Sequence, residues 1–270
     1  MENTNSEREN IILPAEPFRG IKSFRYADRE IFAAREWEKE QLLNLVSLYR
    51  ASLIYGQSGI GKSSLINAGL IPELENYNFR GEIIRVSPNR DGTFIVYKIP
   101  ASDKDRAYLP SLFDELLEEE HKQEISVSFE KFKEIINSQL YTLGGEEREG
   151  DEESAIPVFI FDQFEELITL FEERIYKTAS EIELTLTERK AIQSELIDFF
   201  RDIYYNSSLR IKFLFVFRED YLAKLSKLLR AIPDLRDHTL RIKAVSKDDI
   251  YGIIKRPFEK DRANEITRTR

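Results

Sequence analysis

Short apolar runs recur along the chain and alternate with stretches whose apolar residues are three or four positions apart. The runs are typical of strands buried on both faces, and the spaced pattern is typical of amphipathic helices. Strands that alternate with helices favour a parallel sheet with right-handed crossovers. The pattern therefore predicts an α/β fold whose core strands are residues 52–55, 83–86, 158–161, 211–217 and 239–244.

The segments between the strands divide the chain further. Residues 1–16 are polar and are expected to form a disordered tail, and residues 17–245 are expected to form the core. A long insertion at about residues 101–155 separates the second and third core strands, with helical patterns at 111–120 and 129–140. The other predicted helices are residues 35–50, residues 61–72, a helix from Gln163 and one around residues 192–203.

A glycine-rich segment directly follows the first predicted strand. It matches the P-loop pattern GxxxxGK[ST], in which backbone N–H groups turn inward around phosphates and the next helix adds its partial positive charge. Lys62 is then expected to reach the β- and γ-phosphates, and Ser63 to give its hydroxyl to Mg²⁺. The alternative is a glycine-rich turn with an incidental lysine. The predicted phosphate-binding residues are Gly56, Gln57, Ser58, Gly59, Ile60, Gly61, Lys62 and Ser63.

Acidic residues follow the third core strand. Asp162 ends this strand, and because ligands of parallel sheets bind at the carboxyl ends of strands, its carboxylate is expected to hold Mg²⁺. Glu165 and Glu166 open the next helix, and either can activate the attacking water, whereas Gln163 can orient water without accepting its proton. The alternative is that these acids only complement a helix N-terminus. Paired acids here fit an ATPase better than a GTPase, in which glycine is expected.

Arg218 ends the fourth core strand, so it is expected at the same edge of the sheet. Its guanidinium can lie beside the γ-phosphate there and report its presence. Glu219 and Asp220 follow at once, so a local surface ion pair is the alternative interpretation. The candidate catalytic residues are therefore Glu165, Glu166 and Arg218, and the candidate metal ligands are Ser63 and Asp162.

The composition agrees with a soluble nucleotide-binding domain. The 270 residues are 41% hydrophobic, which is ample for a sizeable core, and the chain has no cysteine, which excludes disulfides and thiolate metal sites. The sequence shows neither a membrane-spanning run nor a signal peptide, so a cytoplasmic location is expected.

The net charge of −9 argues against general affinity for nucleic acid. The charge is uneven, because residues 210–270 carry 16 basic and 9 acidic residues, a net charge of +7, which leaves −16 for the rest. Such asymmetry is typical of a solvated surface. It would also suit an acidic partner or an acidic neighbouring subunit.

Three further features are given structural interpretations. Residues 246–249 superficially resemble the guanine-reading NKxD motif, but the asparagine is missing, so a helix N-cap followed by acids is preferred. His121 and His238 are isolated and have no neighbouring cysteine, so they indicate no metal site. Trp37 lies on an amphipathic helix and is expected to pack in the core.

Several motifs together carry a family resemblance. They are FRGIKSF at residues 18–24, IFAARE at 31–36, the P-loop extension SSLINAGLIP at 63–72, DQFEEL at 162–167 and REDY at 218–221. In combination they resemble the Novel STAND NTPase 1 family of signal-transduction ATPases, over roughly residues 17–257.

The resemblance implies an ASCE-type P-loop NTPase, a three-layer sandwich around a parallel five-stranded sheet of order 5-1-4-3-2. It also implies that ATP and ADP act as a switch for homo-oligomerisation, in proteins that often join a sensor to an effector in bacterial defence or signalling. Arg35 and Ser64 are implied to contact the nucleotide. Residues 246–270 are implied to begin a lid.

Two features depart from the family pattern. Ala34 stands where a glycine is usual, beside the segment that is expected to line the adenine pocket. The chain also stops just inside the lid-like segment, so a fragment or a short family member is expected. The leading hypothesis is a slow, Mg²⁺-dependent ATPase switch. The alternatives are a nucleotide-binding interaction module without turnover and an AAA+-like, nucleic-acid-associated ATPase.

Overall fold

The computed structural model of the chain describes residues 18, 20, 22–88, 91, 93–97, 124–144, 155–169 and 185–268, so the tail predicted at residues 1–16 lies outside the described residues. Within these residues the strands form one five-stranded and one three-stranded sheet. The strands are β1 (Ala51–Gly56), β2 (Phe79–Ile84), β3 (Val86–Pro88), β4 (Phe94–Tyr97), β5 (Glu124–Val127), β6 (Ile156–Phe161), β7 (Lys212–Arg218) and β8 (Thr239–Arg241).

The five-stranded core sheet is parallel, with the order β2-β6-β7-β1-β8. Numbered over all eight strands, this order differs from 5-1-4-3-2, because β3, β4 and β5 lie between β2 and β6 along the chain. Counted over the core strands alone, and read from β8, the order is 5-1-4-3-2. The fold is therefore the α/β, P-loop type of sandwich that the motifs predict.

Helical segments connect the strands and cover the sheet. They are α1 (Glu36–Leu48), α2 (Lys62–Ser64), α3 (Ile71–Asn76), α4 (Phe129–Gly144), α5 (Glu165–Thr169), α6 (Leu186–Tyr205), α7 (Ser226–Ala231) and α8 (Lys247–Arg268), with a π-helical segment at Leu65–Leu70 and 3₁₀ turns at Tyr26–Asp28, Glu219–Leu225 and Pro233–Arg236. α1 and α3 pack on one face of the sheet through Leu42 and Leu74. α6 packs on the other face through Leu196 and Phe200.

Both faces of the core sheet are buried, which makes three layers. In β6, Phe159 and Phe161 belong to one apolar cluster, whereas Val158 and Ile160 belong to the other. Successive residues of a strand point to opposite faces, so a continuous apolar run needs cover on both sides. Full burial of each of these side chains contributes about 1.5–3 kcal/mol. The run of apolar residues thereby fixes the position of the residue that follows it, Asp162.

The helix after the P-loop continues past Pro72, where the sequence pattern predicts that it ends. A π-helical turn precedes the proline, and the N–H of Ile71 donates to the carbonyl of Ile66. Proline breaks the interior of a regular α-helix because it has no N–H to donate. Here Pro72 falls in the first turn of α3, where a missing N–H is tolerated, so the helix reaches Asn76.

The insertion expected at about residues 101–155 is not purely helical, because it contains β5, which pairs with β4 ahead of the insertion. β3, β4 and β5 form an antiparallel sheet, and Phe94 of β4 stacks on Phe129 and Phe132 of α4 with ring centroids 5.4 and 5.0 Å apart. Strands of three or four residues are too short for their alternation to be recognised. The helix predicted at 129–140 is present as α4, and the one predicted at 111–120 lies outside the described residues.

Trp37 is 60% exposed, so the prediction that it packs in the core is wrong. It is the second residue of α1, and Leu42 and Val46 of the same helix are fully buried. At 100° per residue, Trp37 lies on the face opposite to Val46, which explains its exposure.

α8 lies against the N-terminal part of the core. Ser246 caps this helix, since its hydroxyl accepts the N–H of Asp249 at 3.1 Å, as the N-cap interpretation requires. Lys260 donates to Glu30 at 2.8 Å and so ties α8 to the segment before α1. No helix in the described part of the chain is both long and apolar enough to cross a membrane.

Candidate functional site

The carboxyl ends of β1, β6 and β7 meet at one edge of the core sheet. The register places Gly56 opposite Arg218, and places Phe161, the residue before Asp162, opposite Phe215. The P-loop, Asp162 and Arg218 therefore emerge side by side, although they are far apart in the sequence.

The P-loop backbone needs its glycines. Gly59 and Gly61 have φ angles of +73° and +97°, a region that residues with a Cβ rarely adopt. Gly61 is the N-cap of α2, and its carbonyl accepts the N–H of Leu65 at 2.9 Å. At Gly56, a Cβ would lie 2.7 Å from the carbonyl oxygen of Ile242. Glycine there allows the loop to pass close to the segment after β8.

Lys62 folds back over the loop. Its ammonium donates to the carbonyls of Gly56 and Gln57, both at 2.9 Å. Burial lowers the pKa of Lys62, and the negative charges of Glu165 and Asp162 act in the opposite direction. The ammonium is thus held at the mouth of the loop, where phosphate oxygens are stronger acceptors than neutral carbonyls.

A hydrogen bond between Ser63 and Asp162 joins the P-loop to the end of β6. The hydroxyl of Ser63 donates to the carboxylate of Asp162 at 3.1 Å. Burial raises the pKa of Asp162, and the hydrogen bond from Ser63 and the charge of Arg85 oppose that rise. A P-loop hydroxyl is therefore bonded to a partly buried carboxyl group that directly follows β6, two strands away from β1 in the sheet.

This pair of oxygen donors fits Mg²⁺. Magnesium prefers oxygen ligands and is held in phosphate-processing sites by one or two protein donors, with phosphates and waters completing the shell. A cation there would favour the ionised form of Asp162. In the described part of the chain there is no group of three or more His, Cys, Asp or Glu residues that could hold a metal.

The adjacent acids of α5 have different partners. Glu165 is 7% exposed, and its carboxylate accepts the backbone N–H of Arg218 at 3.3 Å. Burial raises the pKa of Glu165. Glu166 instead accepts a hydrogen bond from the hydroxyl of Ser87 on β3. Glu165 therefore belongs to the sheet edge with Arg218, whereas Glu166 is bound to the three-stranded sheet of β3, β4 and β5.

Arg218 forms the local ion pair that the sequence leaves open as the alternative. Its Nη2 donates to Asp220 at 2.7 Å, and its guanidinium lies 5.4 Å from the ring centroid of Tyr221. The Nε of Arg218 is buried and has no hydrogen-bond partner within the described residues. The guanidinium lies at the predicted edge of the sheet but contacts Asp220 and Tyr221, two and three residues further along the chain.

Gln163, which the sequence allows to orient water, is held at the edge of the sheet by its backbone. Its φ is +57°, and its N–H donates to the carboxylate of Asp162 at 3.1 Å. The next residue, Phe164, donates its N–H to the carbonyl of Val216 on β7 at 2.8 Å. The sequence signal for Gln163 was its position directly after the strand-end aspartate.

Arg85 is a residue at this edge of the sheet that the motifs miss. It follows β2, whose last residue, Ile84, pairs with Phe161. The next positions on the two strands are therefore Arg85 and Asp162, and the charge of Arg85 opposes the burial that raises the pKa of Asp162. A polar residue that ends a core strand is the signal that identified Asp162 and Arg218, and it applies equally to Arg85.

Arg35 and Ser64 bind the protein backbone. Arg35 is 6% exposed and donates to the carbonyl of Ile60 in the P-loop at 3.0 Å and to that of Lys243 at 2.9 Å. The hydroxyl of Ser64 accepts the N–H of Phe24 at 3.1 Å. Both side chains thus hold segments around the P-loop in place.

Ala34 has a φ of +63°, in the left-handed region that glycine adopts without strain. The position therefore favours glycine for a conformational reason. The departure from the family pattern at Ala34 is a source of backbone strain directly before Arg35.

The core-sheet order and the contact between Ser63 and Asp162 define the class of the protein, which is a P-loop NTPase. Its family follows from the sequence, because the family model described as Novel STAND NTPase 1 matches residues 17–265. The chain belongs to that family, as the motifs predict. A comparison with curated proteins finds no match.

Two solved structures resemble the chain at low sequence identity. The Walker-type ATPase paby2304 of Pyrococcus abyssi is 17% identical, with a TM-score of 0.47, over 89% of this chain and 61% of that one. The Aeropyrum pernix ORC2 protein, in ADPNP-ADP complexes, is 16% identical, with a TM-score of 0.48, over 91% of this chain and 56% of that one. This chain thus spans less than two thirds of either protein. Likeness at this level carries no functional argument.

Proposed function

We propose that the chain binds ATP, hydrolyses it slowly and uses the bound nucleotide to set the state of a signalling switch. The observation that carries this proposal is the 3.1 Å hydrogen bond from Ser63 to Asp162. It brings together the hydroxyl and the carboxylate that P-loop NTPases use for Mg²⁺. The membership of the chain in a STAND family supports the same function.

The residues at the carboxyl edge of the core sheet have separate proposed roles in binding the phosphates, the metal and the γ-phosphate. Lys62 and the N–H groups of the P-loop bind the β- and γ-phosphates, and Arg35 and Ser64 serve binding through the backbone that they hold. Ser63 and Asp162 would hold Mg²⁺, which when bound would neutralise charge on the phosphates. Arg218 senses the γ-phosphate by exchanging Asp220 for a phosphate oxygen.

Glu165 is the proposed general base. The oxygen of a water molecule bonds to the γ-phosphorus, the bond from phosphorus to the departing ADP oxygen breaks, and the proton of the water passes to Glu165. Burial in the site and the raised pKa make this carboxylate a stronger base than an exposed one.

At the level of the whole protein, we propose an NTPase module of a bacterial signalling or defence protein that acts in the cytoplasm. ATP would favour an assembly-competent, homo-oligomeric form, and ADP a closed form. Sensor and effector parts would lie on the same protein or on partners. The acidic balance of most of the chain gives no support to nucleic acid as a partner.

Calorimetric titration with ATP and Mg²⁺ tests the proposal. Lys62→Ala should abolish ATP binding, because no neighbouring side chain replaces the ammonium at the phosphates. Asp162→Ala should retain much of the binding but lose its dependence on Mg²⁺. Lys131→Ala, which removes an exposed lysine from α4, is the matched control and should bind like the wild type. Unchanged affinity in Lys62→Ala would refute the assignment of the P-loop.

A nucleotide-binding module without turnover is the second candidate, and one observation favours it. Arg218 is paired with Asp220, so the site lacks an engaged cation for the transition state. Phosphate release at saturating ATP separates the candidates. Release in the wild type that disappears in Glu165→Gln supports the ATPase, and binding without release supports the module.

A further inference from the structure

We propose that Arg85 binds the γ-phosphate of ATP, from the side of Asp162 that lies away from Arg218. This inference rests on the proposed ATPase function and adds a second cation for the terminal phosphate, to which neither the motifs nor the proposed roles assign a place. The position of Arg85 in the core sheet, its stacking on Tyr97 and its lack of a carboxylate partner within the described residues point to it.

Arg85 lies beside Asp162 at the carboxyl edge of the core sheet. Ile84 and Phe161, which end β2 and β6, are paired with each other. Arg85 and Asp162 are the next residues, so they leave the sheet as neighbours, from strands that are typically about 4.8 Å apart. Because β6 lies between β2 and β7, Asp162 has Arg85 on one side and Arg218 on the other. Burial raises the pKa of Asp162 and the charge of Arg85 opposes this rise, so the guanidinium is close enough to act on this carboxylate.

The side chain of Arg85 lies on the face of the three-stranded sheet that contacts α5. The carbonyl of Arg85 accepts the N–H of Tyr97 at 3.2 Å, and its guanidinium lies 5.5 Å from the centroid of the Tyr97 ring. Tyr97 and Ile95 are two positions apart on β4 and share one face, and Ser87 of β3 is paired with Ile95. The hydroxyl of Ser87 donates to Glu166 of α5. Arg85 therefore faces the helix that carries the proposed general base.

Stacking on Tyr97 leaves the hydrogen-bond donors of Arg85 available. Arg85 is exposed, and its guanidinium forms neither an ion pair nor a hydrogen bond with any residue that the structure describes. A guanidinium that stacks through its flat face keeps its N–H groups in its own plane, where they match the oxygens of a phosphate in pairs. Lys62 donates to loop carbonyls and Arg218 donates to Asp220. Unlike those two cations, Arg85 can take up a phosphate without first losing a hydrogen-bond partner.

The position of Arg85 selects the terminal phosphate. The P-loop follows β1 and Arg85 follows β2, with β6 and β7 between these two strands. A nucleotide whose β-phosphate fills the P-loop extends its γ-phosphate toward Asp162 in the proposed arrangement. ADP ends one phosphate earlier, so the guanidinium contacts ATP alone. The same contact neutralises charge on the γ-phosphate as its bond to the departing ADP oxygen breaks.

Arg85→Ala should weaken the binding of AMPPNP, a non-hydrolysable ATP analogue, about tenfold more than the binding of ADP, because charge-assisted hydrogen bonds to the γ-phosphate are lost. Arg85→Lys keeps the charge but not the fork of donors, so its ratio of AMPPNP to ADP affinity should lie between those of Arg85→Ala and the wild type. Calorimetric titration with Mg²⁺ present measures both affinities.

Arg201→Ala is the matched control for the loss of an arginine. Arg201 has a partly exposed side chain near the end of α6 that leads to the amino end of β7, at the opposite edge of the sheet. Its removal should leave the ratio of AMPPNP to ADP affinity at the wild-type value.

Two variants of Tyr97 test the stacking. Tyr97→Leu removes the ring that holds the guanidinium, so the ratio of AMPPNP to ADP affinity should fall about two- to fivefold, as expected for an exposed cation–π contact. Tyr97→Phe keeps the ring and should retain the wild-type ratio. A wild-type ratio in Tyr97→Leu would overturn the part that Tyr97 plays in holding Arg85.

The outcomes separate this inference from the function beneath it. Equal changes of AMPPNP and ADP affinity in Arg85→Ala, with or without a loss of thermal stability, overturn the role of Arg85 and leave ATP binding intact. A wild-type chain that binds neither nucleotide overturns the proposed function itself.

Discussion

The guanidinium of Arg218 donates to Asp220 at 2.7 Å, and the backbone N–H of the same arginine donates to Glu165 at 3.3 Å. One residue thus contacts the proposed general base through its main chain and a competing acid through its side chain. The side chain is 40% exposed, so it can leave Asp220 without disrupting the core. Arg218 therefore has two alternative partners for its charge, Asp220 and a γ-phosphate.

Asp220→Asn should strengthen the binding of ATP relative to ADP, because only ATP presents the charge that would compete with Asp220. An exposed ion pair of this kind is weak, so a gain of roughly two- to fivefold is expected. Arg218→Ala should weaken ATP about tenfold more than ADP. Calorimetric titration of each variant with both nucleotides measures these ratios.

The control for this pair is Asp198→Asn, which breaks the exposed ion pair between Asp198 and Arg201 on α6. It should leave the ratio of ATP to ADP affinity unchanged. Equal losses for ATP and ADP in Arg218→Ala would instead assign Arg218 a structural ion pair.

Glu165→Gln should nearly stop turnover while ATP remains bound, because a lost general base typically costs about 10²- to 10⁴-fold in rate. Glu166→Gln should hydrolyse ATP like the wild type, because the hydrogen bond to Ser87 directs Glu166 toward β3. Single-turnover phosphate release measures both. Wild-type rates of phosphate release in both variants would contradict the assignment of Glu165 as the base. Loss of phosphate release in Glu166→Gln but not in Glu165→Gln would assign the base to Glu166.

The pH dependence of turnover should report Glu165. Burial raises its pKa above the ordinary value of 4.5, and only the ionised form accepts a proton, so the rate should rise with pH through a midpoint above 4.5. Glu165→Gln should remove that rise.

The same shift has a stability consequence. The native protein binds this proton more tightly than the unfolded chain does, so ionisation costs native stability as the pH rises through the raised pKa. Glu165→Gln should therefore gain stability over the wild type at pH 7 and lose that advantage below about pH 4. Thermal unfolding at the two pH values checks the sign. A gain at the lower pH alone would contradict it.

Ala34→Gly should stabilise the protein by about 1 kcal/mol, because it relieves the left-handed strain at a φ of +63°. Ala33→Gly is the matched control. Its φ is not positive, so glycine there should destabilise the protein by about 0.5–1 kcal/mol through the added freedom of the unfolded chain. Denaturant unfolding of both variants gives the comparison. A loss of stability in Ala34→Gly would show that the methyl group of Ala34 contributes more than its strain costs.

The core sheet could be predicted from the sequence because β6 and β7 are buried on both faces. Their apolar runs have no helical alternative at that length, and the residue after each run necessarily emerges at the carboxyl edge. Asp162 and Arg218 were located in this way. Arg85 obeys the same rule but follows a strand whose pattern is interrupted by Glu82 and Arg80, which form an ion pair at 2.6 Å.

Other features depend on three-dimensional packing that the sequence does not encode locally. The choice between Glu165 and Glu166 is made by the left-handed turn at Gln163, which sets where α5 begins. Pro72 remains within its helix because a π-helical turn precedes it. The exposed Trp37 and the buried Leu42 share one amphipathic pattern, and only the orientation of α1 against the sheet decides between them.

Arg35 connects the P-loop to the segment that directly precedes α8. Its guanidinium spans the carbonyls of Ile60 and Lys243, and Lys243 lies four residues before α8 begins at Lys247. If the loop moves when a phosphate displaces the carbonyl partners of Lys62, the guanidinium must either carry Lys243 along or lose a buried hydrogen bond. Through Arg35, the position of the P-loop is therefore tied to the start of a 22-residue helix.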